Sequence, residues 1–158
     1  MEVKIEKWVE IIRESEISKS IKLYNPAALD FKSDHRMKSI EFSDEYTRIE
    51  FIYRSSMLYI NGGWIQMDPN AFIRSVGSSV KYRLIKTEGI PLAPSKHDFR
   101  SKGEYHTYTL IFPALPGNTK QIDIIEREEK GTYFNFYNVD YSKWMKITHP
   151  MDIQKYNN

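Results

Sequence analysis

The sequence predicts a mainly β chain, an antiparallel β-sandwich preceded by a short N-terminal helix. Three observations carry this. Apolar and polar residues alternate with period two over several short runs. Gly, Asn, Asp and Pro clusters punctuate those runs every eight to twelve residues, roughly the spacing of sandwich strands and too short for βαβ units. The composition is rich in aromatics, 14 % with eleven Tyr and eight Phe. Large flat side chains pack well on a pleated surface.

The chain has 158 residues, one domain by size and enough to bury a core. Residues 1–20 read as the helical segment. Ile5, Trp8, Val9 and Ile12 recur at helical spacing, with Lys4, Glu6, Lys7, Glu10 and Arg13 largely opposite. The helix is expected to end near residues 15–20. Asn25-Pro26 marks a turn, because the residue before a proline is pushed out of the helical region. Residues 25–37 read as irregular.

Residues 38–140 form the expected sandwich. Residues 37–42 and 47–53 read as a hairpin about Asp44-Glu45, with Ile49, Phe51 and Tyr53 on one face. Asn61-Gly62-Gly63 predicts a second hairpin, between strands at 57–60 and 63–67. Asp68-Pro69-Asn70 closes that strand and caps a short helical turn through Phe72. A strand follows Gly77-Ser78-Ser79 over residues 80–87. Residues 91–103 read as a long irregular loop of the kind that often binds ligands or moves. Residues 105–112 alternate as a clear strand, with His106, Tyr108, Leu110 and Phe112 on one side. The last strands are 121–127 and 133–139, and residues 141–158 read as a polar tail.

The C-terminal half carries a resemblance. "YTLIFPALPGNTKQIDIIE" at 108–126 and "YFNFYNV" at 133–139 resemble an uncharacterised β-sandwich domain of bacterial proteins from the Bacteroidetes. "WIQMDPNAFIRS" at 64–75 and "YRLIKTEGIPL" at 82–92 fit the same pattern. The likeness covers roughly residues 38–140. It implies an immunoglobulin-like fold and no activity, since that group has no assigned function.

Composition also bounds the function. A net charge of +2 gives no strong electrostatic footprint for nucleic acid. The chain has no cysteine, which removes disulfides, thiolate nucleophiles and Cys-based zinc sites. No run approaches the roughly 20 apolar residues of a membrane-spanning helix. Taken literally the protein is expected to be cytoplasmic. A removed leader or lipid anchor would make it periplasmic or surface-located.

Chemical motifs are sparse. His35, His97, His106 and His149 show no metal-ligand spacing, so solvated loop histidines are the simpler reading and no cofactor is expected. Asp123 and Glu126 point to opposite faces of a strand and read as structural, Asp123 bonding loop backbone near 116–119. The segment around Lys96, His97, Arg100 and Lys102 interleaves cations with Phe99 and Tyr105. It reads either as an anion-binding loop or as an ordinary solvated one. Tyr133 and Tyr137 face away from Phe134 and Phe136, and with Trp64 and Trp144 offer a tyrosine-rich surface.

The leading expectation is therefore a non-enzymatic module that binds another protein or itself, with Tyr133, Tyr137 and Trp64 in its contact surface. One alternative is a small-ligand or single-stranded nucleic-acid-binding β-barrel using Lys96, His97, Arg100 and Lys102. Another is a hydrolase built on Asp34, His35, Asp98 or His106, which requires those loops to converge.

Overall fold

The computed structural model describes residues 20–30 and 33–146. The expected N-terminal helix lies outside them. The described chain is mainly β, in antiparallel sheets. Its strands are β1 (Ile21–Tyr24), β2 (His35–Phe42), β3 (Tyr46–Arg54), β4 (Trp64–Ile65), β5 (Phe72–Ser75), β6 (Tyr82–Arg83), β7 (Lys86–Glu88), β8 (His97–Asp98), β9 (Tyr105–Pro113), β10 (Gln121–Ile125), β11 (Asn135–Asp140) and β12 (Met145–Lys146). A single 3-10 turn, Pro26–Leu29, stands where helix is described, capped by the Asn25 side chain.

The strands form a six-stranded sheet in the order β12-β1-β2-β3-β9-β7, a four-stranded sheet β11-β10-β5-β6, and a two-stranded ribbon β4-β8. Both larger sheets end in open edge strands, so the barrel alternative is corrected: among the described residues no strand pairing closes either sheet on itself.

The β2–β3 hairpin forms as predicted. Ser43 pins its turn, its backbone N–H donating to Tyr46 O at 3.0 Å and its hydroxyl oxygen accepting from the N–H groups of Glu45 and Tyr46. β3 and β9 then pair over nine rungs, from Tyr46↔Pro113 to Arg54↔Tyr105. Alternation sends Ile49, Phe51, Tyr108, Leu110 and Phe112 to one face, where all are buried. Ile73, Ile122 and Ile124 of the four-stranded sheet belong to the same hydrophobic cluster. Phe51 stacks on Tyr108 at 4.8 Å between ring centres. The opposite face of the six-stranded sheet carries ion pairs, Lys22–Glu50 at 3.0 Å and Arg48–Glu88 at 3.1 Å. Burial alone would raise the Glu50 carboxyl, but Lys22, with Lys38 and Arg48, holds it below its ordinary range.

Several elements depart from expectation. Residues 57–60 are not a strand; they form an exposed turn, and the chain returns through β4 to pair with β8, inside the loop expected at 91–103. The stretch 80–87 splits into β6 and β7, which join different sheets. Asp68-Pro69-Asn70 makes a turn, Ala71 N–H donating to Asp68 O, and leads straight into β5 instead of a helix. Residues 141–146 are tied in: Tyr141 donates its hydroxyl to Thr119 O at 2.6 Å, and β12 adds to β1.

Phe51→Ala should lower unfolding stability by about 3–5 kcal/mol, because it opens a cavity beneath the Tyr108 ring. Urea denaturation checks this, and a loss below about 1 kcal/mol would contradict the placement of Phe51 at the core.

Candidate functional site

The last β3–β9 rung, Arg54↔Tyr105, sets two chain segments side by side. Ser55 follows Arg54 and is buried, 2 % exposed. Its N–H donates to Glu104 O at 2.8 Å, and its carbonyl accepts from Gly103 N–H at 3.2 Å. Its hydroxyl donates to Ser101 O at 2.7 Å and accepts from Glu104 N–H at 2.8 Å. One serine thus uses every polar atom to staple residues 101–104 to the start of the 55–63 loop.

Gly62 closes the other side of this neck. Ser56 N–H donates to Gly62 O and Gly62 N–H to Tyr59 O, both at 3.0 Å. Gly62 has φ +84°, and a Cβ there would lie 2.4 Å from Ser101 O and 2.7 Å from Ser55 Oγ. Only glycine fits both the backbone and the space.

Above the neck stand Met57, Leu58, Tyr59 and Ile60, exposed by 54 %, 90 %, 65 % and 86 %. Four consecutive large apolar residues at a turn tip are contrary to the usual polar chemistry of loops. Around the base lie two cation–aromatic pairs. The Lys96 ammonium sits 4.1 Å from the Trp64 ring centre, and the Arg54 guanidinium 5.7 Å from that of Tyr105. Arg100 and Lys102 are exposed nearby. Three carboxylates share this end. Asp34 pairs with Arg54 at 3.8 Å, Asp98 is on β8 opposite Trp64, and Glu104 accepts from Arg100 N–H at 3.2 Å.

Of the residues singled out from sequence, Trp64, Lys96, His97, Arg100 and Lys102 therefore gather at one end of the molecule, because β4 pairs with β8 and Ser55 holds 101–104. His97 serves packing: its ring stacks on His106 at 4.3 Å and meets Phe99 edge-on. Tyr133 and Tyr137 belong instead with β11, at the edge of the four-stranded sheet. Tyr133 is partly covered and lies under Arg127, while Tyr137 is 53 % exposed. The loop tip itself was missed from sequence. Its signal was the lack of alternation in Met57-Leu58-Tyr59-Ile60 between Ser55-Ser56 and Asn61-Gly62-Gly63.

The acidic residues of β10 and of the position just after it hold structure together. Asp123 is buried against Arg74 at 2.9 Å and accepts from Asn138 N–H at 2.8 Å, not from the 116–119 loop. Glu126 accepts from the N–H groups of Asp68 and Phe134. Burial raises its carboxyl above the ordinary range in spite of those bonds.

A second feature is a groove of about 340 Å³ whose lining includes Asn25, His35, Arg36, Phe136 and Trp144. His35 is ringed by Phe51, Tyr53, Phe134 and Phe136, and its Nε2 is 2.5 Å from the Tyr108 hydroxyl. Desolvation lowers its pKa from 6.5 to about 4, so the ring is neutral at pH 7. Three of the four residues of the hydrolase alternative are engaged separately, Asp34 with Arg54, His35 with Tyr108, and His106 Nε2 with Gly89 O at 2.5 Å, while Asp98 is exposed on β8. Tyr53 stands between His35 and His106 on the sheet. Among the described residues, no three His, Asp or Glu side chains are grouped to hold a metal ion.

No family model, curated protein or solved structure matches the chain.

Two predictions follow from this geometry. Gly62→Ala and Gly77→Ala both place a Cβ at positive φ, about 1–2 kcal/mol of strain, yet only Gly62 meets other atoms. Urea unfolding should therefore show Gly62→Ala as the more damaging by a further 1–3 kcal/mol, roughly the cost of overpacking. The second concerns pH. His35 binds a proton more readily in the unfolded chain, near pH 6.5, than in the fold, about 4. Its contribution to stability is complete above 6.5 and is lost as pH falls toward 4. Glu126, with its raised carboxyl, has the opposite slope, favouring the fold at the acid end. The difference between wild type and His35→Gln isolates the histidine. Wild type should lose ground relative to the variant between those pH values, and parallel curves would exclude a buried neutral His35.

Proposed function

We propose that this chain is a β-sandwich module, without catalytic activity of its own, that works by docking through the apolar loop at residues 57–60. The two-layer reading is supported by the shared cluster, in which Ile49, Phe51 and Leu110 of one sheet lie with Ile73, Ile122 and Ile124 of the other. The finer immunoglobulin likeness gains no support from strand order. β1, β2 and β3 are sequential neighbours in one sheet, unlike the ABED and CFG arrangement.

One observation carries the docking reading. Four large apolar side chains, each more than half exposed, stand on a neck that Ser55 and Gly62 hold by backbone and side-chain hydrogen bonds. A preformed loop loses little conformational freedom on binding, which favours affinity. The contact surface expected from sequence shifts accordingly. Trp64 remains part of it, Lys96 joins it, and Tyr133 and Tyr137 fall outside.

A photoreactive phenylalanine analogue introduced at Tyr59, and separately at Tyr137, tests this in living cells. Adducts from position 59 and few from position 137 are the expected result. Equal yields from both, or none from 59, would remove the loop as the docking surface.

A further inference from the structure

We infer that the partner of this loop is an anionic lipid surface, into which Leu58 and Ile60 insert while Lys96, Arg54 and Lys102 meet the headgroups. The inference rests on the docking reading above and names its partner.

Shape is the first argument. The loop is convex, with Leu58 and Ile60 exposed by 90 % and 86 %. Two such knobs set against each other would meet tip to tip. That buries far less than the roughly 800 Å² per partner of a stable protein interface. A bilayer requires no complementary groove and takes a protruding side chain as it stands.

The order of side chains along the protrusion is the second argument. Leu58 and Ile60 form its apolar end. Tyr59, Trp64 and Tyr105 are exposed rings, each with an apolar body and a polar atom, the kind of side chain that settles at a membrane–water boundary. Lys96 over Trp64 and Arg54 over Tyr105 place cations beside those rings. Long basic side chains lay their stems along apolar surface and keep the charge at the headgroups.

Charge is the third argument. Arg54, Lys96, Arg100 and Lys102 outnumber Asp34, Asp98 and Glu104 at this end, and Arg54 already faces Asp34. The surplus is small, so apolar insertion supplies most of the binding and anionic lipid adds to it, as in other anchors that combine two weak signals.

The test is co-sedimentation of the full chain with two kinds of vesicle. One is phosphatidylcholine alone, the other phosphatidylcholine with phosphatidylserine at about 2:1, a strongly anionic surface. Wild type should bind the mixed vesicles more tightly, and less so as salt rises. The double variant Leu58→Asp/Ile60→Asp should lose about tenfold or more, since both apolar side chains forfeit their transfer from water. Both positions are exposed, and an unchanged circular-dichroism melt verifies that the variant folds. Lys96→Glu/Lys102→Glu should lower binding to the mixed vesicles and leave the weaker binding to phosphatidylcholine unchanged.

Absence of binding to either vesicle, or binding that the loop variant leaves intact, would overturn the inference. Equal binding to both vesicles would overturn the anionic assignment. A wild-type dimer in light scattering that the loop variant dissolves would replace the lipid with a second copy. In the lipid-failure cases, a Tyr59 photo-adduct to protein would leave the docking reading standing, and absence of any adduct would bring both down.

Discussion

The nine-rung ladder between β3 and β9 is the constraint on which the rest of the molecule depends. Its register puts Phe51 opposite Tyr108 and Ile49 opposite Leu110, which fixes the buried face of the larger sheet. A slip of one residue would bring Arg48 and Glu50 inward and turn Phe51 to water. The same register ends at Arg54↔Tyr105. That rung brings Ser55 within reach of Glu104, Gly103 and Ser101, so the neck of the exposed loop is a continuation of the core pairing. Packing at the centre and display at the end are one arrangement of the chain.

How much of this could be read from sequence follows from the range of the interactions. Residues 47–53 and 105–112 alternate cleanly because one face is buried and the other carries Arg48, Glu50 and Thr109. Local pattern was enough there. The β2–β3 hairpin was legible for the same reason, since a short turn joins neighbours. The pairing of Trp64-Ile65 with His97-Asp98 was not, because a two-residue ribbon leaves no period to detect. β1 and β12 escaped notice because the partners of β12 lie more than a hundred residues earlier and its own residues, Met145 and Lys146, are exposed. For the site, Trp64, Lys96, Arg100 and Lys102 were visible as residue types. Their convergence with Met57–Ile60 depends on Ser55, whose four hydrogen bonds no composition or spacing announces.

Polar groups in the interior show how the fold tolerates chemistry it does not display. Asp123 is neutralised by Arg74 and an N–H, Glu126 by two N–H groups, and His35 by losing its charge. Each is a different answer to the same desolvation cost. In each case a neighbour on another strand or loop is part of the answer: Arg74 for Asp123, Asp68 and Phe134 for Glu126, Tyr108 for His35. The part of the molecule that offers unused free energy is apolar and outside.

Exposed apolar side chains are common on folded proteins, and singly they require no explanation. Ile21 and Val80 are of that kind, each flanked in the chain by polar residues. The loop at 57–60 differs in two respects. Its four apolar residues are contiguous, so the surface exposed to water is one patch at a tip. And the chain beneath it is specified closely, with a buried serine that satisfies all its polar atoms and a glycine where any side chain would strike Ser101 and Ser55. A loop of no consequence would cost the fold nothing if it were loose or polar. Here a neck tied by hydrogen bonds holds four apolar residues in solvent, a local conflict with stability of the sort that accompanies function. Cations stand at its base, Lys96 against Trp64 and Arg54 against Tyr105, beside the three carboxylates of the same end. A contiguous apolar patch held out on a hydrogen-bonded neck, with long basic side chains beside it, is the arrangement on which the proposed lipid contact draws.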